Sequence, residues 1–140
     1  MALEDGAAAV EFALVAVPLF LLVFGIIDFG FGFHAWDGTS NAAREGARLG
    51  AVQPDVAAIE SRVRTTASFL NQSKLTVVIT CARGAGAFGS CPSSSSWQEG
   101  DIVRVRVTYL YDYMTPLPGM VGLGSSLNEV SVAEARFEGQ

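Results

Sequence analysis

The 140-residue chain holds few side chains suited to chemistry: one histidine, His34, two cysteines, Cys81 and Cys91, and fourteen carboxylates. Acid–base or nucleophilic catalysis needs a base held against a nucleophile, and a metal site needs several converging ligands. His34 follows directly on Phe29-Gly-Phe-Gly-Phe33 and reads as a polar residue at the edge of an apolar run. Ser93–Ser96 has no histidine to activate it. Gly84-Ala-Gly86-Ala-Phe-Gly89 fits the dinucleotide pattern G-x-G-x-x-G, but that pattern must open a helix, and Ser90-Cys-Pro92 with four serines cannot form one. Asn71-Gln-Ser73 fits a glycosylation sequon, a three-residue match that chance supplies readily. No catalytic, metal or cofactor residue is expected, and the chain reads as a non-enzyme.

The two cysteines suit a disulfide better. They flank a loop of small residues and directly follow a β-branched run, and closing this ring would contribute roughly 2–3 kcal/mol in the chain-entropy picture. Two free thiols are the alternative. A disulfide places this part of the chain in an oxidising, extracytoplasmic compartment.

Hydrophobic residues make up 50% of the chain and charged residues 16%, below the roughly 25% of an average soluble domain. The net charge of -5 is lopsided: residues 1–33 hold four acids and no base, residues 34–140 ten acids and nine bases. Without a basic cluster, nucleic acid is not an expected partner. From Phe12 to Ile27 the chain runs sixteen residues without a charge, roughly 24 Å of helix, and its apolar flanks extend the stretch to about Ala7–Phe33. Phe29, Phe31, Phe33 and Trp36 supply an aromatic belt at one end. This predicts a retained membrane helix with Pro18 as a kink or loosened turn. Arg44 and Arg48 alone would put their side in the cytoplasm; the cysteines point the other way and are the stronger signal.

Beyond Trp36 the helix is expected to continue to about Val52. Ala43 and Ala47, with Gly46 and Gly50, form small-residue rows that let another helix approach closely. Pro54 and Asp55 open a second helix carrying one stripe, Val56, Ile59, Val63, Ala67 and Leu70, through about Asn71. Leu75–Thr80, the alternating Ile102–Tyr111 and the weaker Glu129–Phe137 predict a small antiparallel sheet packed against that second helix. The apolar, Pro- and Gly-rich stretch between Asp112 and Leu127 leaves two readings open: a loop packed on the sheet, or an exposed patch that docks a neighbour. The fold class is thus α+β, with a long membrane helix continuing into a second amphipathic helix over a small sheet.

Glu11 heads the apolar run within Gly6-Ala-Ala-Ala-Val-Glu11-Phe12. An ionised carboxylate costs about 2.5–3.5 kcal/mol at mid-membrane and less near the surface, so Glu11 is either a boundary residue or a group awaiting a partner. With Asn41-Ala-Ala-Arg-Glu-Gly-Ala-Arg48 this block resembles the TadE/TadG-like pseudopilins, minor pilin-like proteins of tight-adherence (Flp-type) pili. The resemblance covers about the first 52 residues closely. It implies a leader at 1–6, cut by a prepilin peptidase between Gly6 and Ala7, a membrane and assembly helix at 7–52, and an extracytoplasmic α+β head at 53–140. Glu11 and Phe12 would then be the fifth and sixth mature residues, with Glu11 neutralising the freed α-amino group of a neighbouring subunit. Family leaders are commonly basic, whereas this one is acidic, and a longer, basic native leader is expected. The implied partners are other pilins or pseudopilins, the prepilin peptidase and membrane lipid; the implied location is the inner membrane, or the pilus at the cell surface. The implied role is initiation, capping or assembly of the pilus. A secretion-system pseudopilin and a plain single-pass anchor carrying an envelope-binding head are the alternatives.

Overall fold

The computed structural model describes residues 2–139, with only the backbone described for 2–5. Helix α1 (Ala2–Gly50) is followed by α2 (Val56–Thr66), β1 (Leu75–Ala82), β2 (Ile102–Asp112), the single-turn α3 (Leu117–Met120) and β3 (Ser126–Arg136). The fold is α+β, as expected. The three strands are antiparallel in the order β1-β2-β3, with β2 in the centre.

Helix α1 runs 49 residues, about 74 Å, without interruption. The chain stays helical through Pro18, and what the proline removes is the N–H that the Leu14 carbonyl would accept. Thr39, within the helix, is fully buried, its hydroxyl donating to the Trp36 carbonyl at 3.0 Å and lying 3.0 Å from Ser131 Oγ on β3.

The C-terminal part of α1, from about Gly32, forms the floor of the head. Ala35, Ala42, Ala43 and Ala47 are buried together with Ile59 and Val63 of α2 and Val103, Val105, Val107, Tyr109 and Tyr111 of β2. The sheet therefore packs on α1, not on α2 as the sequence reading had it, and α2 reaches the sheet only narrowly, at β1. Length explains the correction. Strand β2, with 11 residues, spans about 36 Å, whereas the 11 residues of α2 span about 16 Å. Residues 32–50 of α1 extend about 28 Å and can line the sheet along most of its length.

Helix α2 is also shorter than expected, ending at Thr66, with Pro54 outside it. Asp55 is its N-cap, and its carboxylate accepts from the Ala57 and Ala58 amides at 2.9 and 3.3 Å. Of the expected stripe, Ile59 and Val63 are buried on α2, Ala67 and Leu70 are buried just beyond its end, and Val56 is half-buried. The strands were placed to within three residues, the largest difference being the earlier start of β3 at Ser126.

The small-residue rows have a specific use. A Cβ at Gly46 would overlap Val63 Cγ2 of α2, and one at Gly50 would lie 2.7 Å from Val103 Cγ1 of β2. Helices α1 and α2 and strand β2 meet where no side chain fits. By contrast, a Cβ at Gly30 meets nothing within 4 Å. Alanine favours helix over glycine by about 1 kcal/mol, whereas overpacking a core costs about 1–3 kcal/mol. Thermal unfolding in detergent should therefore rank Gly30→Ala at or above the wild type and Gly46→Ala below it. Equal stability of the two variants would contradict the close packing at Gly46.

Candidate functional site

The N-terminal half of α1 lies outside the head. Its most apolar 18-residue window has a mean hydropathy of 2.6, and only 6% of that window is buried. Phe12, Leu14, Val15, Val17, Leu19, Phe20 and Ile26 all stand exposed. The helix is long and apolar enough to cross a membrane. Gly6, Ala7 and Glu11 are exposed on the same free helix, and the Gly6–Ala7 bond lies within helical backbone. Among the described residues Glu11 meets no ion-pair or hydrogen-bond partner, so no group of the head reaches it.

The other residues singled out from the sequence sit elsewhere. Ala43, Gly46, Ala47 and Gly50 are buried in the head, and the helix they admit is α2 of the same chain. Cys81 and Cys91 form a disulfide that ties the end of β1 to the loop before β2. That loop folds over the outer face of the sheet, with Phe88 under the Arg104 guanidinium at 3.4 Å, and Arg104 also pairs with Glu134 across the β2–β3 ladder at 2.7 Å. His34 rests against the Phe69 ring, centroids 4.8 Å apart. Among the described residues no three His, Cys, Asp or Glu side chains gather as a metal site would require.

Asp28 directly follows the uncharged Phe12–Ile27 run, and here the structure adds most. Asp28 is 7% exposed, at the point where α1 leaves the head. Its Oδ1 accepts from the Met114 amide at 2.7 Å and the Thr115 amide at 3.1 Å, and its Oδ2 accepts from the Thr115 hydroxyl. Its backbone carbonyl accepts from the Tyr111 hydroxyl at 3.3 Å. The carboxylate thus caps the turn between β2 and α3 and fastens the 113–125 loop to the helix. One signal was available in the sequence. Positions 24, 25, 31 and 32, one turn away on either side, are Phe24, Gly25, Phe31 and Gly32, so no local cation could satisfy Asp28 and a distant donor had to.

Beside this clamp, α1, β3 and the loop enclose an apolar groove lined by Phe29, Phe33, Trp36, Leu123, Leu127 and Val130. At its floor Glu129 is 7% exposed, and its Oε2 has no hydrogen-bond partner among the described residues. Burial pushes the Glu129 carboxyl from its ordinary 4.5 up to about 7. The Tyr111 hydroxyl is raised as well, by burial first and then by the nearby charges of Asp28 and Glu129.

Glu129 makes the head sensitive to pH in a defined direction. Below pH 4.5 the carboxyl is protonated in both folded and unfolded chains; from there to about 7 the unfolded chain ionises first, so stability falls as pH rises and levels off above. Glu129→Gln should flatten that slope, read as melting temperature against pH in detergent. An unchanged slope would show that Glu129 already ionises normally in the folded head.

Residues 6–48 match the family model of the TadE-like protein. The match stops just short of the end of α1, so α2, the sheet and the loops lie outside it. No curated protein and no solved structure matches the chain. The free helix, Glu11 and the first part of the small-residue rows all lie within the match, and this N-terminal segment is similar to that family.

Proposed function

We propose that the protein is a non-enzymatic minor pilin or pseudopilin of a tight-adherence pilus, anchored in the cytoplasmic membrane by the N-terminal half of α1 with its head outside. One observation carries this reading: Glu11 stands on an exposed apolar helix with no partner among the described residues. A carboxylate in that position gains from a cation brought by another molecule, and in a low-dielectric bilayer such a pair attracts far more strongly than in water. The partner in this reading is the helix of a neighbouring pilin-like subunit, its α-amino group freed by a prepilin peptidase; the TadE-like match over residues 6–48 supports it. The Cys81–Cys91 bond favours the oxidising side of the membrane for the head. The protein then takes part in initiation, capping or assembly of the filament.

Glu11→Leu tests the reading in the native host. The variant should remain in the membrane fraction at wild-type level and retain the head disulfide, while pili recovered by shearing fall to the level of a deletion strain. Undiminished pili would reduce the protein to a tethered head. Mass spectrometry of the same membranes should find Ala7 as the N-terminus, and an uncut Gly6–Ala7 bond in assembled pili would remove the processing step.

A further inference from the structure

The 113–128 segment has no charged residue, although Asp112 and Glu129 bracket it. It does not lie over the sheet. From the Asp28 clamp it descends along the free half of α1, so that Pro116, Leu117 and Met120 border Val17, Phe20, Leu21 and Phe24 in a wholly apolar crevice. Phe20 lies eight residues before Asp28, about 12 Å along the helix, close to the depth of one hydrocarbon leaflet. Met120, which borders this crevice, is 80% exposed, and Met114, Val121 and Leu123 nearer the head are exposed as well.

Much of the segment's backbone is paired within the chain. Met114 and Thr115 donate to Asp28, and Tyr113 donates to Ser125 O. Met120, Val121, Gly122 and Leu123 donate to carbonyls within residues 116–119, and Pro116 and Pro118 have no N–H to satisfy. Irregular chain at membrane depth is tolerated where its backbone is buried against protein, and α1 covers one side of this segment.

We propose that the 113–128 loop, led by α3, is inserted into the acyl-chain region of the leaflet on the head's side, making a second, re-entrant membrane contact beside α1. This rests on reading α1 as a membrane span. Lipid, rather than a second copy of the chain, is the occupant because the exposed apolar surface of the loop continues that of α1 at the same level, and no charge along the loop offers a protein partner a register.

Three variants of the full chain that each add one free cysteine beside the intact Cys81–Cys91 bond, Met120→Cys, Leu14→Cys and Ser61→Cys, would be labelled without reductant with the environment-sensitive dye NBD and reconstituted in phosphatidylethanolamine–phosphatidylglycerol vesicles. All three positions are exposed, so the head should fold in each. Doxyl-labelled lipids then report depth. The account expects the Met120 label to be blue-shifted, like that at Leu14, and quenched several-fold more than that at Ser61 by doxyl groups high on the acyl chain. A Met120 label as polar and unquenched as Ser61 would overturn insertion. A blue shift without quenching, lost on dilution of protein in lipid, would overturn it in favour of contact between copies. If Leu14 also escapes quenching, the span itself fails and the loop proposal falls with it.

Discussion

A single carboxylate, Asp28, fastens the 113–125 loop to α1 where that helix passes out of the head. Above it α1 is the buried floor of a head; below it α1 is bare apolar helix. An acid at that boundary loses much of its water on folding, which is costly unless hydrogen-bond donors replace it. No nearby residue of α1 supplies them, so the chain brings two amides and a hydroxyl from residues 114 and 115, nearly ninety residues downstream. Satisfying Asp28 sets where the 113–125 loop sits, which side of α1 it covers, and how the groove beside Glu129 closes.

The two halves of α1 solve opposite problems. In the upper half, alanine and glycine keep side chains out of the way so that α2 and β2 approach the helix axis, and the core is filled by Ile59, Val63, Val103 and Val105 from the partners. In the lower half, large side chains point outward on all sides, and only the short α3 segment borders them, around Phe20 and Phe24. Such a surface is stable only in lipid or among other apolar helices. The proposed assembly role follows from this asymmetry: the head is complete in itself, whereas the free helix and Glu11 are not.

Much of this was legible in the residues. The uninterrupted apolar run announced the free helix, period-two alternation announced β2, and the two cysteines flanking a loop of small residues announced their bond. The N-terminal likeness to TadE-like proteins rested on residues that the family match also covers. Two things were not legible. The surface on which the sheet packs depends on the lengths of α1, α2 and β2 together, and hydrophobic patterning marks a buried face without saying what buries it. Asp28 was passed over because its donors are distant in sequence, and a Thr-Pro turn carries no mark of the acid it will meet. Glu129 likewise reads as an ordinary strand carboxylate until α1 covers it.

The central claim is that the Asp28 clamp fastens the 113–125 loop to α1, and amide hydrogen exchange of the full chain in lipid nanodiscs tests it most directly. The Met114 and Thr115 amides should exchange slowly in the wild type. In Asp28→Ala they should exchange much faster, while Val103, Val105 and Val107 in the central strand keep their protection. If the two loop amides exchange at the same rate with and without the carboxylate, the clamp does not exist as described, and the loop is held to the helix by something else.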